Sequence, residues 1–175
     1  MRLLIQRVSR ARVEVAGAAG ATGAGGPVVA GEIGQGLLVL AGFGRADTLA
    51  LPGTRLWTTL CAKLLDLRIF PEDTPQGAGK LNLSLKDTGG GLLLVSQFTL
   101  YADTRRGRRP SFSAAAAPEV ARMLYDRLAA DLAASAPGEF AQGVFGAEMW
   151  LDFVNWGPVS ILLDSAEYAD EAGGA

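Results

Sequence analysis

Histidine is absent from the 175 residues of this chain. The one side chain that titrates unaided near neutral pH is therefore missing, and any proton transfer must use carboxylates, amines, water or a group carried by the ligand. Cysteine occurs once, at Cys61, which excludes an internal disulfide and a multi-cysteine metal cluster. Its helical setting beside Leu60 and Leu64 marks it as a small buried hydrophobe, with no histidine to activate it as a nucleophile. Zinc loses its usual nitrogen and sulfur ligands, so no metal site and no cofactor are expected. No apolar run reaches the roughly 18 residues needed to cross a bilayer. Residues Met1 to Val8 lack the apolar centre and small-residue cleavage site of a secretory signal, so a cytoplasmic protein without a membrane partner is expected. A Gly-Lys-Ser phosphate loop and internal repeats are missing too.

What remains is an apolar chain of 49% hydrophobic residues and net charge −2. The length fits a single domain over residues 1–166, followed by a small, acidic, flexible tail at 167–175. A weak net charge excludes a global basic field for nucleic acid. The charge is uneven, however: Arg105, Arg106, Arg108 and Arg109 surround Gly107 ahead of Pro110. Guanidinium forks suit phosphate oxygens, although a solvated surface loop has the same composition.

The periodicities predict strands over Leu3–Ser9 and Arg12–Val15, a flexible Gly/Ala loop over 16–26, and strands over Val28–Ile33 and Gly36–Phe43. A helix opened by Pro52 should run to Leu67 with Leu56, Leu60, Leu64 and Leu67 on one face. Leu67–Phe70 and Leu81–Leu85 alternate like strands across a turn-rich connection at 71–79. Leu92–Val95 is a buried strand that delivers Ser96-Gln97-Phe98-Thr99-Leu100. Pro118 opens a second helix with Val120, Leu124, Leu128 and Leu132 on one stripe. Met149–Val154 and Ser160–Leu163 are extended on either side of Gly157-Pro158. The expected fold is α+β, with curled mixed sheets forming a barrel-like core and two main helices packed outside.

Two segments carry chemistry. Ser96–Leu100 supplies two hydroxyls, an amide and backbone N–H groups, which can stabilise an oxyanion without titrating. Thr99 as a nucleophile would need a base, and none lies within several residues; a distant carboxylate or Lys80 would have to approach. Gly157-Pro158 offers a rigid wall of backbone with little side chain, able to discriminate by shape. A plain turn is the simpler reading, and the sequence does not fix whether that peptide is cis or trans.

Together, Ser96-Gln97-Phe98-Thr99-Leu100, the following Tyr101–Thr104 and Gly107–Phe112, and Asn155-Trp156-Gly157-Pro158-Val159 resemble the D-aminoacyl-tRNA deacylase (D-tyrosyl-tRNA deacylase) family. Gln6-Arg7-Val8, Leu67–Phe70, Gly79–Ser84 and Gly143–Ala147 agree in order and spacing. The resemblance implies a homodimeric hydrolase of the ester in D-aminoacyl-tRNA that also removes glycine from mischarged tRNA. It implies catalytic roles for Thr99, Ser96 and Gln97, and substrate contacts from Phe98, Gly157, Pro158 and Arg7. In the family a cis Gly-Pro pair enters the partner subunit's pocket and rejects L-amino acids, and Arg7 matches the arginine that holds it. Whether Thr99 or the RNA 2′-hydroxyl drives cleavage stays open, with the missing histidine favouring the RNA. Arg105, Arg106, Arg108 and Arg109 become candidates for tRNA phosphates. The chain departs from the family at Trp156, where an indole would alter the pocket rim, at Ser160 in place of threonine, and in the 16–26 insertion. The competing readings are a non-catalytic nucleic-acid-binding protein on the same fold and a threonine hydrolase of small esters.

Overall fold

A computed structural model describes residues 1–16, 26–72 and 79–168. Most of the predicted Gly/Ala loop, the middle of the 71–79 connection and the tail from residue 169 onward lie outside the described residues.

One long strand organises the fold. The two strands expected at the N-terminus are a single strand, β1 (Arg2–Ala16). The apolar alternation slips a residue where β1 switches faces, so the sequence pattern breaks while the backbone continues. Its register against its partner shifts between Gln6 and Val8 and again between Val8 and Arg10. The first half of β1 pairs antiparallel with β3 (Gly36–Gly42), and the second half with β2 (Pro27–Ile33). Along its other edge runs β8 (Met149–Asp164). β6 (Gly91–Ser96) lies parallel to β3, and β7 (Phe140–Gln142) lies parallel to β6. The sheet curls until Gly31 of β2 lies so near β7 that a Cβ there would sit 3.0 Å from the Ala141 Cβ. The result is the nearly closed, barrel-like α+β core that the patterning predicts.

Each face of this sheet buries its own apolar set. Val8, Ala11, Val13, Ile33, Leu38, Leu93 and Val95 pack on one side. Leu3, Ile5, Leu37, Val39, Leu92 and Leu94 meet the helices on the other. The first helix, α1 (Arg55–Asp66), starts later than Pro52 predicts. Pro52 belongs to a separate 3₁₀ turn, and Thr54 caps α1 by accepting from the Trp57 N–H at 3.3 Å. Leu81–Leu85 is not one strand: β5 (Leu81–Leu83) pairs with β4 (Phe70–Pro71). Ser84 then caps the short α2 (Leu85–Thr88) in a capping box with Asp87. That Ser-x-x-Asp signature was present in the sequence and outranks the apolar alternation. The second main helix, α3 (Pro118–Ser135), buries Leu124, Leu128 and Leu132, together with Tyr125, whose hydroxyl donates to the Leu94 carbonyl at 3.0 Å. Trp57 Nε1 donates to Asp131 Oδ2 at 2.8 Å, tying α1 to α3. Cys61 is half-buried in α1, and burial, aided by Asp131, pushes its thiol up to about 12. A 3₁₀ turn at Ser165–Tyr168 continues the structure past residue 166, with the Lys63 ammonium 4.8 Å from the Tyr168 ring centroid.

The parallel β3–β6 pair depends on Gly36 facing Gly91, where a Cβ on Gly36 would lie 1.9 Å from the Gly91 carbonyl oxygen. Gly36→Ala should therefore destabilise the fold by roughly 3 kcal/mol in urea unfolding. Gly34→Ala, whose Cβ would meet nothing within 4 Å, should stay within about 0.5 kcal/mol of the parent; equal effects would refute the packing argument.

Candidate active site

At the end of β6 the chain turns sharply. The Gln97 N–H donates to the Ala41 carbonyl at 2.7 Å, and Phe98–Tyr101 forms a 3₁₀ turn. Close approach requires glycine on the neighbouring strand, since a Cβ on Gly42 would sit 2.7 Å from the Gln97 oxygen. The N–H groups of Phe98 and Thr99 lead the turn and so have no acceptor within it. Arg2 holds the turn from outside: Nη1 donates to the Leu100 carbonyl at 2.7 Å, Nε to Asp164 Oδ2 at 2.8 Å, and Cζ lies 4.6 Å from the Tyr101 ring centroid. Burial raises the Asp164 carboxyl, but the Ala166 N–H and Arg2 outweigh it and leave the group below its ordinary value. Burial, with Asp47 and Asp164 nearby, pushes the Tyr101 phenol well above its ordinary value, so it stays protonated at neutral pH.

Ser96, Gln97 and Phe98 line a cleft of about 600 Å³, faced by Phe112, Phe145 and Met149. Phe98 is 56% exposed and meets Phe112 edge to face, with centroids 4.9 Å apart. Phe145 is fixed from behind by Arg122, whose Cζ is 4.8 Å from its ring centroid. Thr99 is exposed and is not among the residues of the cleft wall. Its hydroxyl accepts from Gln97 Nε2. An amide nitrogen cannot take a proton, so this contact orients Gln97 without activating Thr99.

The second segment is built around Arg7. Across β1, Val8 pairs with Asn155 and Gln6 with Ser160, leaving Trp156-Gly157-Pro158-Val159 bulged out opposite Arg7 alone. The Arg7 side chain is buried, and burial lowers its pKa. Its Nε donates to the Trp156 carbonyl at 2.8 Å, Nη1 donates to the Ile69 carbonyl, and Cζ lies 4.4 Å from the Trp156 ring centroid. Asn155 closes the bulge, accepting from the Val159 N–H at 2.8 Å and donating to Gln6 Oε1 at 2.8 Å. Gly157 has φ +131°, and a Cβ there would stand 2.6 Å from Arg7 Nη2. The Gly157-Pro158 peptide is cis, and both residues are exposed. The half-buried Trp156 ring covers Arg7 and tilts against Phe70 at 6.4 Å.

The two segments are not brought together within one chain. Arg7 pairs with Leu37 and Leu37 with Leu92, while Ser96 lies four residues farther along β6, and β8 is separated from β6 by β1 and β3. At about 3.3 Å per residue and about 4.8 Å per strand, this is roughly 13 Å along the strands and 14 Å across them.

The arginine segment is a loop closed by Asp103 and Ser111, which exchange backbone bonds of 2.7 and 2.9 Å, with Gly107 at φ +68° near its apex. Arg105 is tied to Asp103, with Nη2 to Oδ2 at 2.6 Å, which holds the Asp103 carboxyl well below the usual carboxylate range. Arg106, Arg108 and Arg109 are exposed and form no ion pair with a described residue. No group of metal-ligating residues occurs among the described residues.

Sequence reasoning missed Arg2 and Asp164, and assigned Asn155 no role. Arg2 reaches its partners 98 and 162 positions away, a distance at which no local pattern signals contact. Asn155 did carry a signal, as a side-chain donor and acceptor immediately before a Gly-Pro turn.

The sequence model described as D-Tyr-tRNA(Tyr) deacylase matches residues 4–164. A D-aminoacyl-tRNA deacylase of Nitratidesulfovibrio vulgaris is 52% identical over 98% of this chain and 98% of its own length. One from Stutzerimonas stutzeri is 52% identical over 94% of this chain and all of its own. A solved structure called c-Myc DNA Unwinding Element Binding Protein superposes with TM-score 0.75 at 32% identity, covering 94% of this chain and 98% of that one.

If Arg7 holds the bulge, Arg7→Lys should cost about 2 kcal/mol, because one ammonium cannot serve both the buried Ile69 carbonyl and the part-buried Trp156 carbonyl while stacking on the indole. Urea unfolding reads this directly, and an unchanged midpoint would show that the bulge is held by something else.

Proposed function

The chain belongs to the D-Tyr-tRNA(Tyr) deacylase family and is a D-aminoacyl-tRNA deacylase, an ester hydrolase; from that premise we propose that a second copy of the chain completes its active site. The observation that carries this reading is the separation of the Ser96–Phe98 cleft from the exposed Gly157-Pro158 bulge within one chain. The bulge is flanked on β8 by Val154 and Leu162, which are 43% and 48% exposed. Apolar residues left bare along one strand suit a contact between copies. Across such a contact, Gly157-Pro158 of one copy would stand against the cleft of the other.

In this reading the ester joining the amino acid to the terminal adenosine lies beside Ser96 and Gln97. Donors from the turn polarise its carbonyl, and Thr99 fixes the Gln97 amide. Water adds to the carbonyl carbon, the ribose oxygen departs with a proton, and the neighbouring 2′-hydroxyl of the RNA supplies the proton relay that the protein lacks. An aminoacyl ester is already activated, so positioning and oxyanion donors suffice. The Gly157-Pro158 backbone excludes a β-carbon of L configuration, whereas glycine has none and is accepted. Arg106, Arg108 and Arg109, with Arg105 shared by Asp103, contact tRNA phosphates. Work on aminoacyl-tRNA implies the cytoplasm as its compartment.

D-Tyr-tRNA should be hydrolysed at least about 100-fold faster than L-Tyr-tRNA, since exclusion acts on the reacting centre. Val154→Asp should sediment as a monomer and lose deacylation. Equal rates on the two esters, or an active monomer, would contradict the proposal. The nucleic-acid-binding alternative draws on the exposed arginine loop and on the name of the similar solved structure. Salt-sensitive binding with no cleavage of the D-ester would favour it.

A further inference from the structure

A second cleft, of about 560 Å³, adjoins the first, and Phe112, Ala115 and Ala116 form the wall common to both. That wall is rigid. Its segment is stitched to the end of β3 by the Arg45 N–H to the Ala114 carbonyl at 2.8 Å and the Ala116 N–H to the Phe43 carbonyl at 2.9 Å. The cleft is apolar at Leu49, which is 50% exposed, and at Val120. Phe112 presents a ring 39% exposed. Two charged residues line it. Asp47 is already engaged, bonding the Met1 ammonium at 2.9 Å and the Gly44 N–H at 2.7 Å. Arg45 is exposed and forms no ion pair with a described residue, so the free charge of the cleft is positive.

Beyond the second cleft the chemistry continues. Ser113, on its wall, accepts a hydrogen bond from the Ser111 hydroxyl at 3.1 Å. Ser111 in turn lines a recess with Arg106, Arg105 and the Asp103 carboxylate to which Arg105 is tied, so that Arg106 carries its excess positive charge. Ser96–Phe98, Phe112, Arg45 and the arginine loop thus form one track: an apolar cleft edged by Ser96 and Gln97, an exposed aromatic, a second apolar cleft with an exposed cation, and a recess carrying Arg105 and Arg106. An exposed ring beside free guanidinium groups is the arrangement that holds single-stranded nucleic acid, with the base stacked on the π-face and the backbone phosphate on the cation.

Resting on the deacylase reading, we infer that the second cleft binds the nucleotide preceding the terminal adenosine of tRNA. Its base packs against Phe112 and Leu49, and its phosphate is held by Arg45. The single-stranded end of the RNA then runs along the track toward Arg105 and Arg106. Phe112 separates the reacting end of the substrate from the part that is only bound.

The test compares D-tyrosyl-tRNA with the same tRNA carrying an abasic residue at the penultimate position. For the parent protein, loss of that base should raise KM about 10-fold and leave kcat within about 2-fold. Leu49→Glu, which sets a carboxylate in the cleft at an exposed position, should weaken the normal substrate by a similar factor and the abasic one far less, since the two changes remove one contact. Arg45→Ala should make the decline of log kcat/KM with log salt shallower by about 0.7, one phosphate contact on a single strand. The inference is overturned if the abasic tRNA is as good a substrate as the normal one, or if Leu49→Glu penalises both equally. Should the parent fail to hydrolyse D-tyrosyl-tRNA at all, the deacylase reading falls and this inference with it; hydrolysis without discrimination removes only the cleft.

Discussion

Arg7 is the point on which the site's second half depends. A buried guanidinium normally demands a carboxylate, because an uncompensated charge in the interior is costly. Here no described carboxylate pairs with it. It donates instead to the carbonyls of Trp156 and Ile69 and lies against the Trp156 indole. The Trp156 carbonyl belongs to backbone that has left the sheet, where four residues of β8 bulge opposite one residue of β1, and the Ile69 carbonyl lies just ahead of β4. Without Arg7 the bulge would lose the donor to its Trp156 carbonyl, and without the bulge the guanidinium would keep only the Ile69 carbonyl. The cation and the irregular backbone stabilise each other, and Asn155 closes the bulge from its base. Gly157, packed on the guanidinium at positive φ, and Pro158 are left facing outward as a wall almost without side chain.

The same economy marks the other half. Ser96 and Gln97 sit where β6 ends, against Gly42 and beneath a turn held by Arg2. Here too an arginine satisfies a backbone carbonyl and fixes a short irregular segment. Neither half contains a histidine, and the Thr99 hydroxyl is bonded to an amide rather than a base. In the proposed site, geometry and oriented dipoles take the place of a base, which suits a substrate whose ester is already reactive.

Much of this was legible in the sequence, and the failures have physical causes. The apolar runs that became β3 and β6 are strong because both their faces are buried, and the leucine stripes of α1 and α3 because each covers one continuous face. Ser96–Phe98 and Gly157-Pro158 stood out as polar or rigid residues at strand ends. The unity of β1 was hidden because the irregularity between Val8 and Arg10 puts an extra residue into β1 and reverses its alternation. The helix α2 was hidden because four residues are too few to show a period, and only its capping box marks it. Arg7 follows Leu3 and Ile5 on the buried face of β1. Its role came from the family pattern, since no local rule places a charged residue inward when its partners lie 62 and 149 positions away. Trp156 roofs Arg7, a contact set by tertiary packing alone.

The proposed site takes its cleft from one copy of the chain and its wall from another. The most direct measurement is a mixed dimer of Gln97→Ala with Pro158→Gly, purified through distinct tags and assayed on D- and L-tyrosyl-tRNA beside each homodimer. If the site is shared, the mixed dimer contains one site with an intact cleft facing an intact wall. It should cleave the D-ester at about half the parental rate and spare the L-ester, although neither homodimer does both. If it cleaves the L-ester as the Pro158→Gly homodimer does, each copy carries its own wall and the shared site is refuted.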